Sequence, residues 1–355
     1  MSGERMSRRG FLKWFFVLAA AIALMTTLLI QLLQRAASEM LKRAGSDQPS
    51  PVSSKQAETS AGDSNAAETE PLFAFFVISD PHISPELPKH TERMRYALEE
   101  IAGFGSEAEA LVITGDLADF GRDGDFKLLG SILSDYKLPP LMANMGNHDF
   151  YNIWLDNKGA FRQETMPNGK TDAQARQRFM KFMGYDKPYH DEWVKGYHFI
   201  MLSQEAYVQE RPEVGEGAWY SDEQLEWLKE KLAPYRDGRP AFVMIHQPLP
   251  PVGEDGGSHR LIRAKAFREI LKPYKNVFVF SGHTHREFTR ESYVKETFHW
   301  IQNSSVTRVR SPRQADNAFS QGLYVQVYRN RVIVRGREFS SRTWFEGASW
   351  TMPLV

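Results

Sequence analysis

Short apolar runs recur along the chain, and several of them end directly at a small polar motif. Five runs are rich in β-branched and aromatic residues, a composition typical of buried strands. The predicted strands are Phe73–Ser79, Ala110–Thr114, Pro140–Met145, Ala241–Ile245 and Val277–Ser281. Because ligand sites in open α/β sheets lie outside the carboxyl ends of the strands, we expect the five motifs to form one site.

Apolar residues at helical spacing lie between these runs. They predict helices over Thr91–Phe104, Asp222–Leu232 and Arg260–Leu271. Ser221 is expected to cap the second helix, with Gln224 completing a capping box. Alternation of strands and helices predicts an α/β fold.

The C-terminal third of the chain has a different pattern. Gly322–Tyr328 and Arg331–Arg337 predict a β-hairpin that turns at Arg329 and Asn330. The sheet is therefore expected to be mixed or doubled.

The N-terminal 44 residues resemble an export signal. Ser7-Arg8-Arg9-Gly10-Phe11-Leu12-Lys13 precedes the apolar segment Trp14–Leu33, and this order resembles the bacterial twin-arginine signal. The apolar segment has 20 residues, close to the roughly 20 that span a bilayer. A cleaved signal and an uncleaved membrane anchor both place the rest of the chain outside the cytoplasm, and the lack of a strong cleavage site favours the anchor. The twin-arginine export machinery and the membrane are thus expected partners.

Residues 45–71 predict a disordered linker, because small and polar residues dominate and cannot bury enough apolar surface to offset the entropy of ordering. Residues 72–355 are predicted to form one domain.

Lysine and arginine together number 44, and so do aspartate and glutamate, so the chain has no net charge and no nucleic-acid binding is expected. The absence of cysteine excludes disulfides, thiolate metal sites and cysteine nucleophiles.

The polar motifs supply seven residues of the types that bind metals through nitrogen and oxygen. These are Asp80, His82, Asp116, Asn147, His246, His283 and His285. Seven ligands suit two divalent ions that share one carboxylate better than they suit a single ion. Asp116 stands alone in its motif and is the expected bridge. Two ions roughly 3.5–4 Å apart can hold a hydroxide and clamp a phosphoryl group.

The order Asp-x-His, Gly-Asp, Gly-Asn-His-Asp, His and Gly-His-x-His resembles the calcineurin-like metallophosphoesterase superfamily over residues 73–307. The resemblance implies two packed mixed β-sheets flanked by helices, a four-layer α/β (α+β) sandwich. It implies that Asp80, His82 and His285 hold one ion, and that a second group holds the other. That group is Asn147, His246 and His283, with Asp116 as the bridge.

The resemblance also implies roles for the residues that follow Asn147. His148 would contact the phosphoryl oxygens or protonate the leaving oxygen, and Asp149 would orient it. The expected reaction is in-line attack by a metal-bridging hydroxide without a covalent enzyme intermediate. The metal pair would come from Mn, Fe, Zn, Ni or Co, among which the ligand types do not choose.

One departure and several alternatives accompany this resemblance. Asp119 occupies the position of the tyrosine ligand of purple acid phosphatases, which argues against a ferric site of their kind. The metal motifs are more similar to the bacterial class III cyclic-nucleotide and glycerophosphodiester phosphodiesterases. A phosphomonoesterase acting on envelope lipid or wall phosphates, and a non-catalytic binding protein on the same scaffold, remain alternatives.

Residues outside the motifs receive weaker predictions. The aromatic-rich segment 150–196 is a candidate cap over the metals, although its individual aromatics are expected to form a small core. Five histidines are expected to be surface or packing residues, and His259 is the one most open to substrate contact. They are His90, His190, His198, His259 and His299. Arg308, Arg310 and Arg313 are expected in a solvated basic loop, with binding of a distal phosphate as the alternative.

Overall fold

The computed structural model of the protein describes residues 70–104, 107–312 and 319–355. The predicted signal, the apolar segment Trp14–Leu33 and all but the last two residues of the predicted linker lie outside these ranges. Among the described residues, no helix is both long enough and apolar enough to cross a membrane.

Within the described residues, twelve strands form two six-stranded mixed sheets. In chain order the strands are β1 (Phe73–Ile78), β2 (Leu111–Thr114), β3 (Leu141–Asn144), β4 (His190–Val194), β5 (Tyr197–Met201), β6 (Ala241–Met244), β7 (Val277–Ser281), β8 (Tyr293–Lys295), β9 (His299–Gln302), β10 (Gln321–Val327), β11 (Arg331–Glu338) and β12 (Thr343–Pro353). The first sheet has the order β12-β11-β10-β1-β2-β3, and the second has the order β4-β5-β6-β7-β9-β8.

Each sheet joins a group of parallel strands to antiparallel strands. In the first sheet, β1, β2 and β3 are parallel, and β10, β11 and β12 continue the sheet from β1, each antiparallel to the strand before it. In the second, β5, β6, β7 and β9 are parallel, with β4 and β8 antiparallel at the two edges. The carboxyl ends of the parallel strands of each sheet therefore meet at one edge.

In the part of the chain that the structure describes, five α-helices cover the outer faces of the sheets. They are α1 (Pro88–Gly103), α2 (Asp123–Ser134), α3 (Asp172–Met183), α4 (Asp222–Leu232) and α5 (Ala264–Leu271). Apolar residues of α1, α2 and α3 pack on the first sheet, and those of α4 and α5 pack on the second. A third apolar cluster fills the space between the two sheets. The layers are thus helix, sheet, sheet and helix, and the predicted four-layer α/β sandwich is confirmed.

Strand β1 shows how the sequence produces this layering. Its six residues are all buried, because both faces of the strand are covered. Phe73, Phe75 and Val77 point into the inter-sheet core, whereas Ala74, Phe76 and Ile78 pack with the helices. A strand alternates its side chains between the two faces, so an unbroken apolar run is required in the middle of a four-layer structure.

The five predicted strands and the predicted hairpin are confirmed to within one residue at each end. The five strands do not form one sheet edge, however. Three of them, β1, β2 and β3, lie in the first sheet, and β6 and β7 lie in the second. Helix α5 begins at Ala264 and not at Arg260, because the carbonyl oxygens of Arg260 and Leu261 accept from the backbone N–H groups of Ala218 and Gly256 and not from a following helical turn.

The predicted capping box on α4 is only half formed. Ser221 accepts from the backbone N–H of Gln224 at 3.0 Å, as expected for an N-cap. The side chain of Gln224 instead bonds both backbone groups of Ser203. Glu205 accepts from the Ser221 N–H in its place, so a residue distant in sequence completes this helix terminus.

Candidate active site

The five polar motifs follow the carboxyl ends of β1, β2, β3, β6 and β7. Those of the first sheet supply Asp80, His82, Asp116 and Asn147, and those of the second supply the other three predicted ligands. The structure brings all seven together, so the site lies where the edges of two facing sheets meet.

Five of the seven predicted ligands have backbone conformations that L-residues rarely adopt. The φ angles are +55° for Asp80, +45° for His82, +52° for Asp116, +71° for His283 and +56° for His285. The left-handed region costs a non-glycine residue roughly 1–2 kcal/mol. The left-handed conformation turns the chain sharply after each strand and directs each side chain toward a common centre, at the cost of this strain.

Glycines in two of the polar motifs leave room for neighbouring side chains. A Cβ on Gly146 would lie 2.2 Å from Asp116 Oδ1, and one on Gly282 would lie 1.8 Å from Ser79 Oγ. Both distances are far below van der Waals contact. The glycines of the motifs are therefore required by close approach to the site.

Two groups of side chains converge within the site. The ligating atoms of Asp80, His82, Asp116 and His285 lie within 4.8 Å of one another, and so do those of Asp116, His246 and His283. Asp116 belongs to both groups. Asn147 joins the second, with its Oδ1 3.0 Å from His283 Nδ1.

Three of the histidines are oriented as metal-ligating histidines usually are. Each places one ring nitrogen on an acceptor oxygen: His82 on Asp119 at 3.1 Å, His246 on the Thr114 carbonyl at 2.7 Å and His285 on the Arg308 carbonyl at 3.1 Å. The proton is thus held on the far nitrogen, and the near nitrogen turns a lone pair to the site.

The near nitrogens and the carboxylates face one another at short distances. His246 Nε2 is buried without a hydrogen-bond partner in the described residues and lies 3.1 Å from Asp116 Oδ2. His82 Nε2 and His285 Nε2 are 2.9 Å apart. Buried acceptors that converge in this way are satisfied by cations, so the residues present fit bound metal ions.

The charges of the site shift its pKa values strongly. Burial opposes ionisation of Asp80, but the nearby His285 and His246 hold its pKa well below the usual range. Burial lowers the pKa of His82, yet its contacts with Asp119, Asp80 and Asp116 raise it to about 10. Burial likewise opposes charging of His246, and Asp116 raises its pKa to about 9. A proton therefore competes with a metal ion for these nitrogens.

His148 lies beside the first group of ligands, with about a fifth of its side chain exposed. Its backbone N–H donates to Asp116 Oδ1 at 2.9 Å, and its ring lies 4.3 Å from that of His82. Its Nδ1 is 2.9 Å from the Asp119 carbonyl oxygen, which leaves Nε2 free to approach a substrate.

The predicted contact between Asp149 and His148 is not formed. Asp149 is fully buried and accepts from the backbone N–H groups of Ala118 and Gly146, both at 3.0 Å. Burial and the charge of Asp116 raise its pKa to about 7. The carboxylate points back into the protein because it fixes two backbone turns, and Asp119 takes the expected place beside His148.

Of the five histidines outside the motifs, one touches the site, one bonds the backbone of a predicted ligand and three pack on aromatic rings. His259 has φ +71° and places Nδ1 3.2 Å from His283 Nε2, so it touches the site, as its position in the sequence suggested. His90 donates through Nδ1 toward the His82 carbonyl at 3.0 Å. The other three pack: His190 on Tyr185, His198 on Trp193 and His299 on Phe278.

The aromatic segment 150–196 is mostly part of the core. Phe150 and Phe179 are fully buried in the cluster on the first sheet, and β4 within this segment is an edge strand of the second sheet. Tyr151 differs, since its ring stacks on His148 with centroids 3.9 Å apart. Phe161 is half exposed with its ring 6.4 Å from Tyr151.

In the predicted basic loop, Arg308 is exposed, and Arg313 lies outside the described residues.

Glu216 is a residue of the site that the sequence analysis missed. Its Oε2 accepts from Asn147 Nδ2 at 2.6 Å and from the Tyr151 hydroxyl at 2.8 Å. The only local signal is its place between two glycines, Gly215 and Gly217. Such a signal gives no indication of contact with a residue 69 positions away.

A four-layer sandwich with carboxylates, histidines and an asparagine at its strand ends is the architecture of metal-dependent phosphoesterases. The chain belongs to the calcineurin-like phosphoesterase family, whose profile matches residues 73–287.

Two curated relatives are phosphodiesterases by name. The chain is 22% identical over 195 residues to the glycerophosphodiester phosphodiesterase GpdQ of Enterobacter lignolyticus, a match over 53% of this chain and 60% of that protein. It is 24% identical over 197 residues to the 3',5'-cyclic adenosine monophosphate phosphodiesterase CpdA of Escherichia coli, over 55% of this chain and 61% of that protein. The chain thus spans about 60% of the length of these relatives.

The fold is also similar to that of a solved structure. A purple acid phosphatase from yellow lupin seeds superposes with a TM-score of 0.53 at 12% identity, covering 79% of this chain and 53% of that one. This similarity supports the sandwich architecture.

Proposed function

We propose that the protein is an exported phosphodiesterase that uses two divalent metal ions to hydrolyse phosphate diesters. The observation that carries the proposal is the convergence of two ligand groups on Asp116. Asp80, His82 and His285 would hold one ion, and Asn147, His246 and His283 would hold the other. Asp116 would bridge them.

Divalent ions bound there would supply Lewis-acid activation of water and neutralise charge on the phosphoryl oxygens. The chain's own residues position these ligands through the strained turns and the far-nitrogen hydrogen bonds. His148 would bind a phosphoryl oxygen or pass a proton to the leaving alcohol through Nε2, because the Asp119 carbonyl fixes Nδ1 as the donor.

The preference for diesters rests on the relatives. Both are named as phosphodiesterases, and the resemblance of the metal motifs points the same way. The half-exposed ring of Phe161 lies 6.4 Å from the ring of Tyr151, which stacks on His148, and it offers an apolar wall for an esterified alcohol. A phosphomonoesterase acting on envelope lipid or wall phosphates is the second candidate.

Export rests on the N-terminal sequence. The paired arginines Arg8 and Arg9 before Trp14–Leu33 support passage of the folded protein through the twin-arginine machinery, with the apolar segment as a membrane tether. The catalytic part would then act outside the cytoplasm. Replacing both arginines by lysine is expected to retain the protein in the cytoplasm, as cell fractionation would show.

The test of the activity compares bis-p-nitrophenyl phosphate with p-nitrophenyl phosphate as substrates of the purified full chain, with Mn²⁺ added and then removed by a chelator. We expect faster hydrolysis of the diester and loss of activity on chelation. Faster hydrolysis of the monoester would favour the second candidate. A chain that binds metal but hydrolyses neither substrate would favour a non-catalytic binding protein.

A further inference from the structure

Glu216 connects the second ligand group to the aromatic residues beside it. Besides its contacts with Asn147 and Tyr151, its Oε1 accepts from the Tyr207 hydroxyl at 2.7 Å. The Tyr207 hydroxyl in turn accepts from Trp154 Nε1 at 3.2 Å. The carboxylate is partly buried, so three donors in a sheltered place hold it firmly.

The backbone of Glu216 is also fixed in place. Its N–H donates to Ser258 Oγ at 3.3 Å, and its carbonyl accepts from Gln247 Nε2 at 3.2 Å. A Cβ on the neighbouring Gly217 would lie 2.5 Å from the Gly257 carbonyl oxygen. The loop is therefore packed tightly against the loop that follows His246.

The side chain of Asn147 has two chemically different ends, and only its Oδ1 can bind a cation. A carboxylate accepts hydrogen bonds and donates none, so the end that faces Glu216 must be the NH2 group. At the other end, Gln247 Nε2 donates to Asn147 Oδ1 at 3.3 Å, and His283 Nδ1 lies 3.0 Å away. The amide is thus held from both ends with its oxygen toward the predicted ligands.

We propose that Glu216 is a positioning residue that sets the Asn147 amide for metal binding at the second ligand group. Through the Tyr151 hydroxyl it also holds the ring that stacks on His148. This inference rests on the proposed function, because it assigns Asn147 as a metal ligand. Without Glu216, the amide can rotate and present its NH2 group, which repels a cation.

The experiment measures Mn²⁺ binding to the metal-free full chain by isothermal titration calorimetry. Wild type is expected to bind two ions. Glu216→Ala is expected to weaken one of the two sites by about 10- to 100-fold and to leave the other unchanged, the usual effect of losing a residue that orients a ligand. Glu216→Gln is expected to stay within several-fold of wild type, since its amide oxygen still accepts from Asn147.

Glu213→Ala is the matched control, because Glu213 is exposed on the same loop and pairs only with Arg211 among the described residues. It is expected to bind both ions as wild type does. Thermal melts of the metal-free proteins report whether each variant is folded at the titration temperature.

The outcomes separate this inference from the proposed function. If wild type binds two ions and Glu216→Ala binds both with unchanged affinity, the inference is wrong and the proposed function stands. Equal weakening in Glu216→Ala and Glu216→Gln would also overturn it, because rescue by the amide is its distinguishing sign. A wild-type chain that binds fewer than two ions overturns the two-metal proposal and this inference together.

Discussion

The Nδ1 atom of His148 lies 2.9 Å from the backbone carbonyl oxygen of Asp119. The carboxylate of the same aspartate lies 3.1 Å from His82 Nδ1, so one residue orients both a predicted ligand and the predicted catalytic histidine. Burial disfavours ionisation of Asp119, but its contacts with His148 and His82 hold its pKa far below the usual range. It therefore remains a carboxylate between two rings.

His148→Ala is expected to lower kcat by about 10²- to 10⁴-fold, the usual contribution of a positioned acid or base. Metal content should be unchanged, because the ring of His148 is not among the predicted ligands. The measurement is steady-state kinetics on the diester together with elemental analysis of the protein. Unchanged kcat in a metal-loaded variant would remove the role assigned to His148.

Asp149→Asn is expected to destabilise the fold and not to act on His148 directly. Its carboxylate accepts two backbone N–H groups, and an amide can accept only one of them while its NH2 faces the other. We expect a loss of about 1–3 kcal/mol in the free energy of unfolding. Urea unfolding of the metal-free protein measures this loss, and a stability equal to that of wild type would contradict the structural role.

Asp116→Asn is expected to bind fewer than two metal ions. Asp116 belongs to both ligand groups, and a neutral amide cannot bridge two cations as a carboxylate does. The metal content after dialysis, measured by elemental analysis, should fall below that of wild type, and diester hydrolysis should fall with it. Full metal content in this variant would refute the bridge.

Gly146→Ala is expected to disrupt the site. The added methyl would lie 2.2 Å from Asp116 Oδ1 and 2.6 Å from His246 Cδ2, so one or both side chains must move. Metal affinity should fall at least tenfold by calorimetric titration. Gly124→Ala is the control, because nothing lies within 4 Å of a Cβ at that position of α2. Equal metal affinity in the two variants would show that the close approach is dispensable.

His299 is expected to contribute to a loss of stability in mild acid. Burial and the neighbouring Lys295 lower its pKa to about 4 in the folded protein, below the model-peptide value of 6.5. Between pH 4 and pH 6.5, His299 therefore binds a proton in the unfolded chain but not in the folded protein. The contribution of neutral His299 to the free energy of unfolding is fully present above pH 6.5. It is lost as the pH falls toward 4, at up to about 1.4 kcal/mol per pH unit.

The measurement for His299 is urea unfolding of the metal-free protein at several pH values between 4.5 and 7, compared with His299→Gln. Glutamine does not titrate, so the stability of the variant should depend less steeply on pH over this range. Parallel curves for wild type and variant would show that His299 does not remain neutral in the folded protein.

The sequence alone predicted the strands that lead to the site, because buried parallel strands leave an unbroken apolar run before each polar motif. It also identified the seven residues that converge, because each is an aspartate, histidine or asparagine in a polar motif that follows a predicted strand. It did not divide the five strands between two sheets, because hydrogen-bond partners of strands are not encoded in local patterns. The same limit concealed the contacts of Glu216 with Asn147 and of Gln224 with Ser203.

The error at Asp149 has a similar origin. Adjacent residues on a chain do not have adjacent side chains when the backbone turns between them, and here a 3-10 helix of seven residues, His148–Trp154, begins at His148. The carboxylate next to His148 in sequence points into the core, whereas a carboxylate 29 positions earlier lies beside the ring. Neither fact could be derived from residue types or their spacing.

The left-handed backbone at five of the predicted ligands has a consequence for how this chain can vary over evolutionary time. Glycine would relieve the strain at each of these positions, so substitutions that favour folding there are also substitutions that delete a ligand. Selection for stability alone would erode the centre one ligand at a time. The aspartates and histidines at these five positions are therefore residues that the site requires and that backbone stability alone would not favour.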